Sequence, residues 1–157
     1  MIAAAIVGVI AAIALPVYSS YMLKSKTAEA KTNLGSLRVA EESFYAEHDA
    51  HHAANAEPPL IPGAHSAAFD AAGSDFADLG WSPEGTVYFS YAVAVSGDGI
   101  GYTADAAADI DADGFVQLWG YAKPDGGDAL LNGSLGCDVS FLTPKLVGRC
   151  GNDQTIF

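Results

Sequence analysis

Asp109, Asp111 and Asp113 alternate through the stretch DIDADG, which ends on Gly114. Hard cations bind several oxygens at once, and alternate carboxylates on a tight turn can converge on one ion, as in the first half of a calcium loop. The twelfth position of that pattern is Gly120 rather than a bidentate Glu, so a standard EF-hand is excluded. The same residues also suit a hairpin turn whose aspartates bond their own backbone. The turn is the preferred reading, with calcium as its alternative and no other cofactor expected.

His48, His51 and His52 cluster with Glu47 and Asp49. On a helix His48 and His52 share a face, as zinc ligands can. No H-E-x-x-H is present and no distant third ligand stands out, so a solvated helix end is expected. G-x-S-x-G, a phosphate-binding glycine loop and C-x-x-C-H are all missing. GDGIG at 97–101 lacks a P-loop lysine and reads as a turn. Tyr18, Tyr21, Phe44 and Tyr45 read as packing aromatics rather than an electron path. Asn132-Gly133-Ser134 fits a glycosylation sequon. No enzymatic constellation emerges.

The two cysteines, Cys137 and Cys150, are separated by twelve residues, too many for a redox C-x-x-C, and no second pair completes a zinc site. An even pair beside an apolar N-terminus reads as a disulfide formed outside the cytoplasm. Closing a loop of this size contributes roughly 3 kcal/mol in the chain-entropy model. Two buried free thiols are the alternative.

These residues need elements to carry them. Thr27, Ala30, Leu34, Leu37, Ala40 and Phe44 recur at helical spacing. Lys31, Arg38, Glu41 and Glu42 fall mostly off that face, and Arg38 and Glu42 are spaced to pair at i, i+4. One helix is therefore expected from near the start to about residue 50. Residues 53–80 are rich in Ala, Pro, Gly and Asp and read as a loop, with a helical turn around Asp75 to Leu79. Strands are expected at 87–95, 101–106 and 115–121, joined by glycine turns as an antiparallel meander. The tail from Leu131 to Phe157 reads as loop with short strands. The fold class is α+β, a long helix covering one face of a small sheet.

Charge divides the chain of 157 residues. Residues 1–38 carry +3 and residues 39–157 carry −15, for a net −12. An acidic surface of this kind argues against a nucleic-acid partner, which needs clustered Lys and Arg.

Residues 1–18 hold only apolar side chains besides Gly8, Pro16 and Tyr18. A signal peptide needs a charged start, which Met1-Ile2-Ala3 lacks. An anchor helix needs about 20 apolar residues, slightly more than are present, although Tyr18 and Tyr21 suit an interfacial belt. Lys24 and Lys26 alone would place the remainder in the cytoplasm, against the disulfide reading.

A third explanation removes that conflict. The stretch MIAAAIVGVIAAIALPVYSSYMLKSKTAEAKTNL resembles the N-terminal helix of type IV pilins, and Ala14-Leu15-Pro16-Val17-Tyr18-Ser19-Ser20-Tyr21 matches that family's ALPxYxxY. The resemblance covers about the first 40 residues. The family's leader, cleavage site and early glutamate have no counterpart here, which implies a chain that starts short of the family's mature N-terminus.

The resemblance implies a pilin-like fold with a C-terminal disulfide loop. It implies four segments: an apolar helix at 1–23, its amphipathic continuation at 24–52, a variable connection at 53–85, and a sheet with the disulfide loop at 86–157. It implies a structural subunit of a type IV pilus filament for attachment or motility, with a type II secretion pseudopilin as the alternative. The partners implied are further copies of the chain and the inner-membrane assembly machinery. The locations implied are an inner-membrane pool and then an extracellular fibre. Ile2, Ile6, Val9, Ile10, Ile13 and Leu15 would form the filament core. Gly8 weakens a helix by about 1 kcal/mol relative to alanine, and Pro16 removes a backbone hydrogen bond and clashes with the preceding turn. Residues 8–16 are thus poised to unwind, as in assembled pilins of this family.

Overall fold

The computed structural model describes residues 2–151. Met1 and residues 152–157, the outer ends of the expected first and last segments, lie outside the described residues. A single helix, α1 (Ile2–His48), runs for 47 residues, about 70 Å at 1.5 Å per residue. It ends at Asp49, whose φ of 57° turns the chain out of the helix. The His51 N–H then donates to Gly99 O at 2.9 Å.

Strands β1 (Ala54–Glu57), β4 (Ser90–Val95), β5 (Tyr102–Ala108), β6 (Gln117–Lys123) and β7 (Gly148–Arg149) form one antiparallel sheet in the order β1-β4-β5-β6-β7. Strands β2 (Ala67–Ala68) and β3 (Thr86–Val87) pair separately. The connection at 53–85 thus contains two strands and a 3-10 turn at Asp75–Ala77. The expected strand at 87–95 is split. Residues 86–87 pair with β2, while the Tyr88 N–H leaves the ladder to donate to Glu29 Oε1 at 2.9 Å. The third expected strand is shifted by two residues, to 117–123.

The upper half of the helix, from about Thr27 to its C-terminus, packs across β5 and β6. Ala30, Leu34 and Leu37 are buried against Tyr91, Ala104, Ala106, Trp119 and Tyr121. Alanines on β5 let the helix approach closely. Truncating a buried leucine such as Leu34 to alanine typically costs 2–5 kcal/mol. Phe76 and Trp81 close the edge beside Phe69.

Strand β5 is buried along its whole length. Its other face carries Thr103, Asp105 and Ala107 beneath the C-terminal segment, and Thr103 Oγ1 donates to Leu131 O. On β6 the same face meets a second small core of Ala122, Cys137, Leu142 and Cys150, with Leu118 packed against it. Burial on both faces is why these strands do not read as a clean polar–apolar alternation. Cys137 and Cys150 form the disulfide.

Candidate assembly surface

The two halves of α1 face different surroundings. From Thr27 upward, polar side chains at helical spacing bond the domain. Thr27 Oγ1 contacts Gln117 Oε1 at 3.1 Å, Asn33 Nδ2 donates to Tyr91 Oη at 2.8 Å, and the Trp81 indole N–H donates to Ser36 Oγ at 2.8 Å. Just below, Lys26 Nζ donates to Ala64 O at 2.8 Å. Glu29 accepts from both the Tyr88 N–H and the Tyr91 hydroxyl. Burial pushes the Glu29 carboxyl up from its ordinary value, against those hydrogen bonds. Lys31 and Arg38 lie over the rings of Trp119 and Tyr121.

Arg38 does not take up Glu42 as the spacing suggested. Glu42 bonds Lys123 Nζ at 2.9 Å across to β6, and the guanidinium sits on an aromatic face instead. Glu41, placed off the apolar face by the sequence reading, is fully buried. It follows Leu34 and Leu37 at the spacing of that face, and its charge class hid it. His51, expected at a solvated helix end, is buried beside it, stacked on Tyr45 and tilted against Tyr102. His48 stays exposed and stacks on Phe44. The histidines do not converge as a metal set among the described residues.

Below about residue 23 no part of the domain covers the helix. Ile2, Ile6, Val9, Ile10, Ile13 and Leu15 are all exposed, from 55% at Ile6 to 80% at Ile2. Val7, Val17, Tyr18 and Tyr21 on other sides are equally bare. A Cβ added at Gly8 would meet nothing within 4 Å. Ile2, Ala5, Ile6, Val9 and Ile10 line a shallow apolar groove. The helix is long and apolar enough to cross a membrane by length and composition. A helix apolar all round is stable only when surrounded by other apolar matter.

In the isolated chain α1 runs unbroken through Gly8 and Pro16, with Ser19 Oγ donating to Pro16 O at 2.9 Å. The extended form implied for residues 8–16 concerns assembled subunits, where neighbours can satisfy freed backbone groups.

The aspartate turn sits beside the point where the helix leaves the domain, with Ile110 and Asp111 near Tyr18, Met22 and Lys26. Asp109, Asp111 and Asp113 each present a carboxylate oxygen within 4.8 Å of the others. Asp109 also caps the turn, its two oxygens accepting from the Asp113 and Gly114 N–H groups at 3.1 Å. Asp113 Oδ1 accepts from the Phe115 N–H at 2.9 Å. Desolvation, and then the charges of Asp113 and Asp109, push the Asp111 carboxyl upward. Asn132 is exposed, and its Oδ1 is already engaged by the Val139 N–H.

The type IV major pilin protein PilA of Myxococcus xanthus (strain DK1622) is 36% identical over 100 residues, which is 62% of this chain and 36% of that protein. The chain is similar to a type IV major pilin. It spans little more than a third of the relative's length. No protein-family model matches it, and no solved structure does. The long helix on an antiparallel sheet, with a disulfide between Cys137 and Cys150, is a pilin-like α+β arrangement. Within it the residues expected at the filament core lie exposed along the lower part of α1. The disulfide lies at the far side of the sheet from that helix.

Proposed function

We propose that this chain is a structural subunit of a type IV pilus-like filament, assembled through residues 2–22 of α1. The observation that carries the reading is the contrast within one helix. Its upper part is bonded to the sheet, while its lower part exposes apolar side chains on every side. Burying such surface is favourable by roughly 25 cal/mol per Å². A bilayer supplies that environment before assembly, and the same segment of neighbouring copies supplies it afterwards. The contact is heterologous and does not close, so it builds a fibre.

On this reading Ile2, Ile6, Val9, Ile10, Ile13 and Leu15 line the filament axis, and residues 8–16 unwind when copies pack around them. The acidic domain faces outward, for attachment or motility. The assembly machinery of the inner membrane is the second partner, and no catalysis is involved. A pseudopilin of type II secretion would share the helix. The name of the similar protein and the disulfide-closed C-terminal loop favour the pilus. The turn at Asp109–Asp113 is read as self-capped rather than as a calcium loop, because its carboxylates already bond the turn's own amides.

Replacing Ile10 with Lys tests the assembly role, since a charge at the axis has no water or counter-ion. Loss of fibres with the domain still folded is expected. Normal fibres would refute the placement of residues 2–15.

A further inference from the structure

Asp105 is wholly buried on the face of β5 that looks away from α1. Its Oδ2 accepts the Leu135 N–H at 2.7 Å. The amides of Cys137 and Ser134 also act on the carboxylate, with no charged side chain among the groups that do so. Oδ1 has no hydrogen-bond partner among the described residues. A buried carboxylate oxygen without a partner is costly, and such groups call for an explanation.

Directly across the ladder Asp105 pairs with Gly120. Both sulfurs fold over that glycine, where a Cβ would meet Cys137 Sγ at 2.5 Å and Cys150 Sγ at 2.9 Å. Gly133 lies between the carboxylate and Cys137, since a Cβ there would strike Asp105 Oδ2 and come within 2.8 Å of Cys137 Cβ. Two glycines thus keep a carboxylate and a disulfide side by side. Leu118 and Leu142 pack over the sulfurs.

We infer that Asp105 is the internal proton acceptor when the Cys137–Cys150 disulfide closes by thiol–disulfide exchange. An external disulfide, small or protein-borne, is the oxidant. The Cys150 thiolate attacks it, forming a mixed disulfide and releasing one external thiolate. The Cys137 thiol proton passes to the Asp105 carboxylate. The Cys137 thiolate then attacks Cys150 Sγ, and the mixed S–S bond breaks as the new one forms. The second external thiolate leaves and is protonated by solvent, and Asp105 returns its proton to water. Two protein thiols are oxidised and one disulfide is reduced to two thiols. Cys137 is assigned the proton transfer because its own amide faces the carboxylate.

Thiolate supply controls such exchange. Burial holds the Asp105 carboxyl at about 7, where it is a far better base than an ordinary aspartate and is about half ionised at neutral pH.

The test follows closure in the full chain in detergent. The protein is reduced, mixed with oxidised glutathione between pH 5 and 9, quenched with acid, and its mixed-disulfide and closed forms are resolved by mass. In the native chain the closing rate should rise with pH and level off near 7. In Asp105→Asn it should fall about tenfold at pH 7 and keep climbing towards the thiol's own range. A purely structural role would slow closure without moving that profile. Identical profiles in the two proteins would overturn the proposal. If Asp105→Asn does not fold, the native profile decides, because the absence of a break near pH 7 contradicts the assignment.

Discussion

His51 Nδ1 lies 3.3 Å from Glu41 Oε2, and both side chains are sealed from solvent. Lys123 Nζ approaches His51 Nε2 at 3.2 Å and bonds both carboxylate oxygens of Glu42. Lysine can only donate, so Nε2 accepts and the ring proton sits on Nδ1, facing Glu41. The last turns of α1, the helix exit and the end of β6 are fastened at one point.

Removing one partner of a buried charged contact is costly because the other is left stranded. His51→Ala should therefore lower stability by about 3 kcal/mol, read from denaturant unfolding of the full chain in detergent. Adding Glu41→Leu to it should recover much of the loss. A single-variant effect below about 0.5 kcal/mol, the range of ordinary surface substitutions, would show that the contact does not hold the joint.

Asp105 gives a stability prediction with a definite sign. Its carboxyl stands at about 7 in the fold against an ordinary 3.8, so the folded state holds its proton more tightly than the unfolded state does. That contribution is fully present below pH 4, is lost as pH rises through 7, and amounts to at most about 4 kcal/mol. Asp105→Asn should remove this part of the pH dependence and raise stability at pH 8 relative to the native chain. Parallel native and variant curves from pH 4 to 8, measured by denaturant unfolding, would contradict it.

The self-capped turn predicts indifference to calcium. The melting temperature of the full chain in detergent should be the same in EDTA and in millimolar calcium, because a ligand that binds only the folded state would raise it. A calcium-dependent rise that Asp111→Asn abolishes would restore the cation reading.

Pro16 separates the role of α1 in the fibre from its role in the fold. Pro16→Ala restores a helix hydrogen bond and opposes unwinding of residues 8–16. Fibre yield or morphology should change while the domain's melting temperature stays put, because no part of the domain packs below about residue 23. Normal fibres would remove the unwinding from the account.

The helix was legible because Ala30, Leu34, Leu37 and Phe44 keep one period, and the bare segment because it is apolar on every side. The cysteine pair and the turn at 109–114 were legible from residue type and spacing. Glu41 and His51 were not. A charged side chain on an apolar stripe reads as an exception to the face, and only the returning loop reveals its partner. Asp105 was hidden for a similar reason. Nothing local marks its face of β5 as covered, because the long C-terminal segment that covers it folds back from far along the chain. The break between β3 and β4 depends on Glu29, 59 residues from Tyr88, a separation no local pattern conveys.

The central claim is that residues 2–15 become the axis of a fibre. The most direct test is electron microscopy of fibres sheared from native cells, with mass spectrometry to identify the subunit and a helical reconstruction to place its chain. The account predicts thin uniform fibres composed mainly of this chain, with Ile2 to Leu15 of neighbouring copies packed at the centre. A chain that stays in the membrane fraction, with no fibre containing it, would contradict the account.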